Sequence, residues 1–394
     1  TIYMDGHATT RVDPRVVEAM MPFFVDHFGN ASSRQHRFGW TARDAVAEAR
    51  TSVAALIGAS PRELVFTSGA TESNNLAIKG VADAARERGN HMVTVQTEHR
   101  AVLDPCASLE RQGLQVSYLP VRQDGLLEPE TLSRAMTPET ILVSVMTANN
   151  EIGVLQPVAD LARIAQTTGA RFHTDAAQAA GRVPLDVSAD PIDLVSLTAH
   201  KLHGPMGIGA LFVRHDLELT PLIDGGGHEE GRRSGTLNVP AIVGFGEAAR
   251  LSLAGMPDES ARLATLRDRL ADGLLGALGG VQINGSTTAR LPHNLNVSFE
   301  EVSGEQLLTG LDGVAVSSGA ACTSSSSGPS HVLRAIGVPP ALAKASLRFG
   351  LGRFNTTEEV DEVVELVATL VRRLRAPVEV FDLDDEPMPP GWSD

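Results

Sequence analysis

A chain of 394 residues, 42 % hydrophobic and 21 % charged, has the balance of a soluble globular protein with room for two or three cores. Its formal net charge of −15 excludes a nucleic-acid surface, which needs a basic stripe, yet still allows a small anion held by backbone N–H groups. Two cysteines exclude a disulfide framework and fit a reducing cytoplasm; no apolar run reaches the roughly 18 residues of a membrane span, and no leader is expected at the start.

Taken in chain order, apolar runs rich in β-formers at residues 64–67, 91–95, 141–146, 170–174, 194–197 and 210–213 read as buried strands. Amphipathic segments such as 157–168 lie between them. Unbroken apolar strands alternating with helices predict an α/β fold, a parallel sheet covered on both faces, with ligands at the strands' carboxyl ends. Near 251–260 the pattern loosens, and Gly255, Met256, Pro257 and Asp258 predict a break. A smaller α+β unit follows, with a helix at 261–278 and strands at 294–299 and 345–349. Its last helix opens with a capping box, Thr356 with Glu359, and carries an apolar stripe from Val360 to Leu374. The expected division is 12–254 for the large unit and 1–11 plus 255–376 for the small one. Residues 377–394 form an acidic, proline-rich tail.

The polar clusters follow strands. Ser68-Gly69-Ala70-Thr71-Glu72 opens a helix, and reads either as a phosphate cradle or as a plain Ser/Thr cap. His200-Lys201-His203 places a lysine over the strand ends. It is a Schiff-base former, a solvated lysine, or part of a metal cluster with His173 and Asp175. Asp175 reads either as a cap for the next helix or as the partner of a protonated ring nitrogen, and with Gln178 three residues on, a first turn would aim both at one planar ligand. His99 and Asn150 end two further strands. Cys322 lies in a glycine- and serine-rich loop without apolar periodicity, which suits a mobile nucleophile. Cys106 shares a helical face with Val102 and Leu109 and reads as core filler. Arg348, on an apolar strand, needs an anion, either a substrate carboxylate or a structural partner.

Eight motifs in order, SGATES, TEH, NNEIG, D-x-x-Q, HK-x-x-GP, RSGT, SSG-x-AC-T and RF-x-LGR, resemble those of the NifS/IscS cysteine desulfurases, group I. The resemblance spans about residues 3–374. It implies a homodimeric fold-type I pyridoxal 5'-phosphate enzyme, with a large, mostly parallel seven-stranded sheet domain and a smaller α+β domain carrying the Cys322 loop. It further implies that Lys201 carries the cofactor as a Schiff base, that His99 stacks on its ring and moves protons, and that Asp175 and Gln178 bind the ring nitrogen and hydroxyl. Ala70, Thr71, Thr198 and His200 would hold the phosphate, with Thr236 reaching in from the other subunit. Asn150 would touch the cofactor and, with Arg348, the carboxylate of L-cysteine. Cys322 would take the sulfur as a persulfide, leaving alanine, for a sulfur-acceptor protein in iron–sulfur cluster, thio-cofactor or tRNA pathways. No metal is implied in the free enzyme. The chain departs from the pattern at Gly6-His7, at Thr198 in place of a common serine, and in its acidic tail. Rival readings are a selenocysteine lyase or another enzyme of this fold, a metal hydrolase, and a non-catalytic relative.

Overall fold

The computed structural model describes residues 1–318 and 329–376. Cys322 and the acidic tail lie outside the described residues. The first part of the chain runs β1 (Ile2–Tyr3), α1 (Pro14–Met20), α2 (Pro22–Val25), α3 (Arg37–Ala55), β2 (Leu64–Thr67), α4 (Ala70–Ala84), β3 (His91–Val95) and α5 (Arg100–Glu110). There follow β4 (Gln115–Leu119), α6 (Pro129–Ala135), β5 (Thr140–Ser144), α7 (Val158–Thr167), β6 (Arg171–Asp175), β7 (Leu194–Thr198) and β8 (Gly209–Val213). The remainder is α8 (Val239–Ala277), β9 (Val281–Ile283), β10 (Asn294–Phe299), α9 (Gly304–Thr309), β11 (Val314–Ala315), α10 (His331–Ala335), α11 (Pro340–Lys344), β12 (Ser346–Gly350) and α12 (Thr357–Arg375).

Seven strands form the large sheet in the order β2-β8-β7-β6-β5-β3-β4. All neighbours pair in parallel except β8, which runs antiparallel to both β2 and β7. Side-chain alternation divides each strand between two cores. Val65, Met92, Leu142, Leu194 and Leu211 face a layer with Leu76 and Val81 of α4 and Val102 and Cys106 of α5. Their neighbours Phe66, Val93, Val143, Val195 and Phe212 face α3, α7 and the first half of α8. This two-sided burial is why the strands read as unbroken apolar runs. β4 was not apparent in the sequence because its residues are half-exposed at the sheet edge. Cys106 is fully buried, and burial pushes its thiol up to about 12, so it is an inert core residue.

The second core gathers Met4, the end of α8, β10, β12 and α12 around the antiparallel sheet β12-β10-β9. The capping box is formed: Glu359 N–H donates to Thr356 Oγ1 and Thr356 N–H to Glu359 Oε2.

The break expected at 251–260 does not occur, because α8 runs unbroken through Pro257. Its buried residues end at Ser252 in the first core and resume at Leu263 in the second. Proline removes one helical hydrogen bond, but on an exposed stretch water takes the freed carbonyl, and packing at both ends holds the helix together. The loosened pattern therefore marks a bridge between cores and not a loop.

Candidate active site

The carboxyl ends of β2, β3, β5, β6 and β7 open on one cleft of about 690 Å³. Ala70, Thr71, His99, Asn150, Asp175, Gln178, Thr198, His200 and Lys201, all singled out in the sequence, line it together with His7, Asn74 and Met146. Thr236 and Arg348 do not line it.

At one end of the cleft stands the N-terminus of α4. Its N-cap Gly69 has φ +152° and supplies no side chain to cap the helix, which leaves the first-turn N–H groups to an outside acceptor. A Cβ on Gly69 would meet only Thr198 Oγ1, at 3.9 Å. A Cβ on Gly209 would come within 2.6 Å of the Gly69 backbone, so two glycines shape the cradle. The hydroxyl of Thr198 therefore faces the cradle as a serine hydroxyl would.

Asp175 ends β6 with both carboxylate oxygens held: Ala177 N–H donates to Oδ1 at 2.9 Å and Asn74 Nδ2 to Oδ2 at 2.7 Å. The helix expected after Asp175 is absent, and residues 177–182 are turns. Gln178 reaches the cleft through that turn. Its Oε1 lies 2.9 Å from His7 Nδ1, and its Nε2 donates to the His7 carbonyl at 3.0 Å.

His99 caps α5: its Nδ1 accepts from Ala101 N–H at 3.1 Å, which leaves the proton on Nε2. Burial lowers its pKa, opposed by Asp175, so the ring is neutral near pH 7. Behind it, Glu98 is fully buried; burial and Asp175 raise its carboxyl well above the usual range. Its Oε1 accepts Met146 N–H at 2.5 Å. A neutral acid there spares Asp175 a like charge.

Lys201 lies in a 3₁₀ turn after β7, and its Nζ donates to the carbonyls of His7 and, at 2.7 Å, Ala8. Beside it, burial followed by Lys201 lowers His200 to about 4, and His200 Nδ1 lies 3.1 Å from Thr9 Oγ1.

The metal reading fails on geometry. His173 bonds Ser144 and Ser196, His200 bonds Thr9, and His203 bonds Arg182 and the Arg11 carbonyl. Among the described residues no three histidine, cysteine or acidic side chains are placed to hold a metal ion.

Arg348 proves to have a structural anion. Its guanidinium, buried behind the cleft, donates to Asp5 Oδ1 at 2.9 Å and to the Asn150 carbonyl at 3.0 Å. Ser317 Oγ donates to the other Asp5 oxygen at 2.7 Å.

The sequence matches the class-V aminotransferase family over residues 2–363. The chain belongs to that family. A "Cysteine desulfurase IscS" of Anaeromyxobacter sp. (strain Fw109-5) is 54 % identical over 387 residues, covering 98 % of this chain and 96 % of its own. The protein of the same name from Rickettsia rickettsii (strain Iowa) is 49 % identical over 387 residues, covering 98 % and 94 %. Among solved structures, a NifS-like protein superposes with TM-score 0.89 at 37 % identity, covering 95 % of this chain and all of that one. The structure titled "SspA in complex with cysteine" reaches 0.81 at 38 % identity, covering 90 % and 100 %.

Class-V aminotransferases use pyridoxal 5'-phosphate, and the cleft fits it. An uncapped helix N-terminus suits the phosphate, Lys201 the aldehyde, a tethered carboxylate the ring nitrogen and a neutral imidazole the ring face. Of the class-V site, Asn74, His7 and Glu98 were not foreseen as working parts. Asn74 had a signal, since it stands four residues after Ala70 on the same face of α4.

Proposed function

We propose that this class-V enzyme is a cysteine desulfurase, which converts L-cysteine to L-alanine and takes the sulfur onto Cys322 as a persulfide. The observation that carries the reading is the single cleft joining Lys201, Asp175, His99 and the α4 cradle, in a chain about half identical to desulfurases along nearly its whole length. A selenocysteine lyase or another activity of this fold has no such support.

Pyridoxal phosphate, when bound, supplies an electron sink for the substrate's α-carbon. The rest falls to the chain. The N–H groups of Ala70 and Thr71, with Thr198 and His200, hold the phosphate. Asp175 keeps the ring nitrogen protonated, and Gln178 meets the ring hydroxyl. The amine of Lys201 would hold the cofactor at rest and, with substrate bound, would receive the α-proton. His99 would stack on the ring, with Nε2–H free to serve proton transfer because Nδ1 accepts from Ala101 N–H. Asn150, with Arg348 directly behind it, receives the substrate carboxylate.

The thiolate of Cys322 then attacks the substrate sulfur. An S–S bond forms and the substrate C–S bond breaks. Its electron pair goes to Cβ, which takes up a proton and becomes the methyl group of alanine, while Lys201 gives its proton back to the α-carbon. A second thiol, on a scaffold or sulfur-carrier protein, relieves Cys322 of the sulfur, and iron–sulfur cluster assembly is the destination we favour.

We also assign a homodimer. Phe24, Phe28, Phe38 and Trp40 are exposed near the start of the chain, and the Phe28 and Phe38 rings lie 5.2 Å apart, apolar surface suited to a second copy. Thr236 is exposed and outside this chain's cleft, as a residue serving the other subunit would be. No helix of the described residues is long and apolar enough to cross a membrane, and a cytoplasmic site is proposed.

The test is chemical. Given L-cysteine without reductant, the protein should gain one sulfur's mass on the peptide holding Cys322 and none on Cys106. Cys322→Ala should keep the visible absorption of the holoenzyme yet release neither alanine nor sulfide. Alanine formed at the wild-type rate by that variant would exclude a protein persulfide.

A further inference from the structure

His7 is one of the positions at which the sequence departs from the resemblance, and the structure buries it. It is 1 % exposed, and its ring lies 4.6 Å from that of His293. Burial, then Arg348, hold its pKa well below the ordinary histidine value, so it is neutral.

Neutral imidazole has one donor and one acceptor, and the hydrogen-bond network decides which nitrogen is which. Arg290 is the fixed point, because a guanidinium only donates. Arg290 donates to Asn294 Oδ1 at 2.9 Å. The amide of Asn294 therefore turns its Nδ2 elsewhere, to His7 Nε2 at 3.0 Å and to the Glu151 carbonyl at 3.1 Å. Nε2 of His7 must then be the acceptor, and Nδ1 carries the proton. That proton meets Gln178 Oε1 at 2.9 Å. Gln178 in turn spends one Nε2 hydrogen on the His7 carbonyl, at 3.0 Å. Its second Nε2 hydrogen is the group it has left for the cleft it lines.

We propose that His7 is a positioning residue: a one-way chain of hydrogen bonds, Arg290 to Asn294 to His7 to Gln178, sets the Gln178 amide so that it offers the cofactor a donor and never an acceptor. This rests on the assignment of Gln178 to the ring hydroxyl oxygen. A donor at that oxygen favours its deprotonated form, whereas a flipped amide would favour the hydroxyl. The ring oxygen's charge thus depends on a guanidinium three residues away along the chain of contacts.

The test reads the pH titration of the holoenzyme's visible absorption band and the affinity of the apoenzyme for pyridoxal phosphate. His7→Phe keeps a ring against His293 and removes both hydrogen bonds of the imidazole, leaving only the backbone carbonyl to hold Gln178. It should raise the apparent pKa of the band by about half a unit to one unit and weaken cofactor binding about three- to tenfold. Asn294→Leu, which does not line the cleft, should move the band in the same direction. His7→Asn keeps a donor near the Nδ1 position and should restore the wild-type titration. Gln178→Leu is the control. If it shifts the band while His7→Phe and Asn294→Leu leave it in place, the relay is wrong and His7 is packing only. If Gln178→Leu itself leaves the band in place, Gln178 does not meet the ring, and the assignment and the relay fall together. Should His7→Phe fail to fold, the Asn294→Leu and His7→Asn titrations decide the matter alone.

Discussion

Asn74, on α4, donates from Nδ2 to Asp175 Oδ2 at the end of β6, across 2.7 Å and 101 positions of sequence. The same helix whose first turn faces the cleft thereby orients a carboxylate that lines the same cleft. Cofactor phosphate and cofactor ring would thus be registered by one rigid element.

Replacing Asn74 with Ala should loosen that registration. A hydrogen bond to a charged group contributes about 1.5–3 kcal/mol, so cofactor affinity should fall about ten- to a hundredfold if Asp175 serves the ring. Titration of the apoenzyme with pyridoxal phosphate measures it. An unchanged affinity would mean that Ala177 N–H alone orients the carboxylate.

Glu151 should make stability pH-dependent. Burial raises its carboxyl to about 7, opposed by the hydrogen bond from Ser330 and by Arg348, from an ordinary 4.5. The folded state then holds a proton that the unfolded chain releases, so this group's contribution is full below about pH 4.5 and is lost as pH rises through about 7. Glu151→Gln cannot ionise. Its stability relative to wild type should improve by of order 3 kcal/mol between pH 4.5 and 8, read from urea unfolding at several pH values. A gap that does not change with pH would show the carboxylate ionised throughout.

The subunit-crossing role of Thr236 is open to complementation. Lys201→Ala chains and Thr236→Ala chains, each severely impaired, should regain part of the activity when mixed under exchanging conditions. In one class of heterodimer site, an intact Lys201 meets an intact Thr236. No recovery despite demonstrated exchange would place Thr236 outside the partner's cleft.

Arg182 is 4 % exposed and pairs with Glu259 of α8, which also receives Arg353 Nε at 2.8 Å. Arg353 continues the network to Asp13 at 2.8 Å. Glu259→Ala would leave the Arg182 guanidinium buried without its carboxylate, which costs about 3–5 kcal/mol. Thermal unfolding should show a loss of several degrees. A change within error would mean that His203 and water suffice for Arg182.

What the sequence determined by itself was local. The apolar strands, the clusters at their carboxyl ends, the Thr356–Glu359 box and the burial of Cys106 each depend on a few adjacent residues or on a periodicity of two or 3.6. That Lys201, His99 and Asp175 would share one cleft was legible because parallel strands deliver their carboxyl ends to one side. The tertiary structure alone decided the pairings. Asp5 as the anion of Arg348 and Asn74 as the tether of Asp175 join residues 343 and 101 positions apart. The polarity of Gln178 is set by Arg290 through two intervening side chains, and no linear pattern records it. Pro257 is the converse case. Local preference argued for a break, and two cores gripping the ends of α8 overrode it, because packing contributes more to a long helix than one lost hydrogen bond removes.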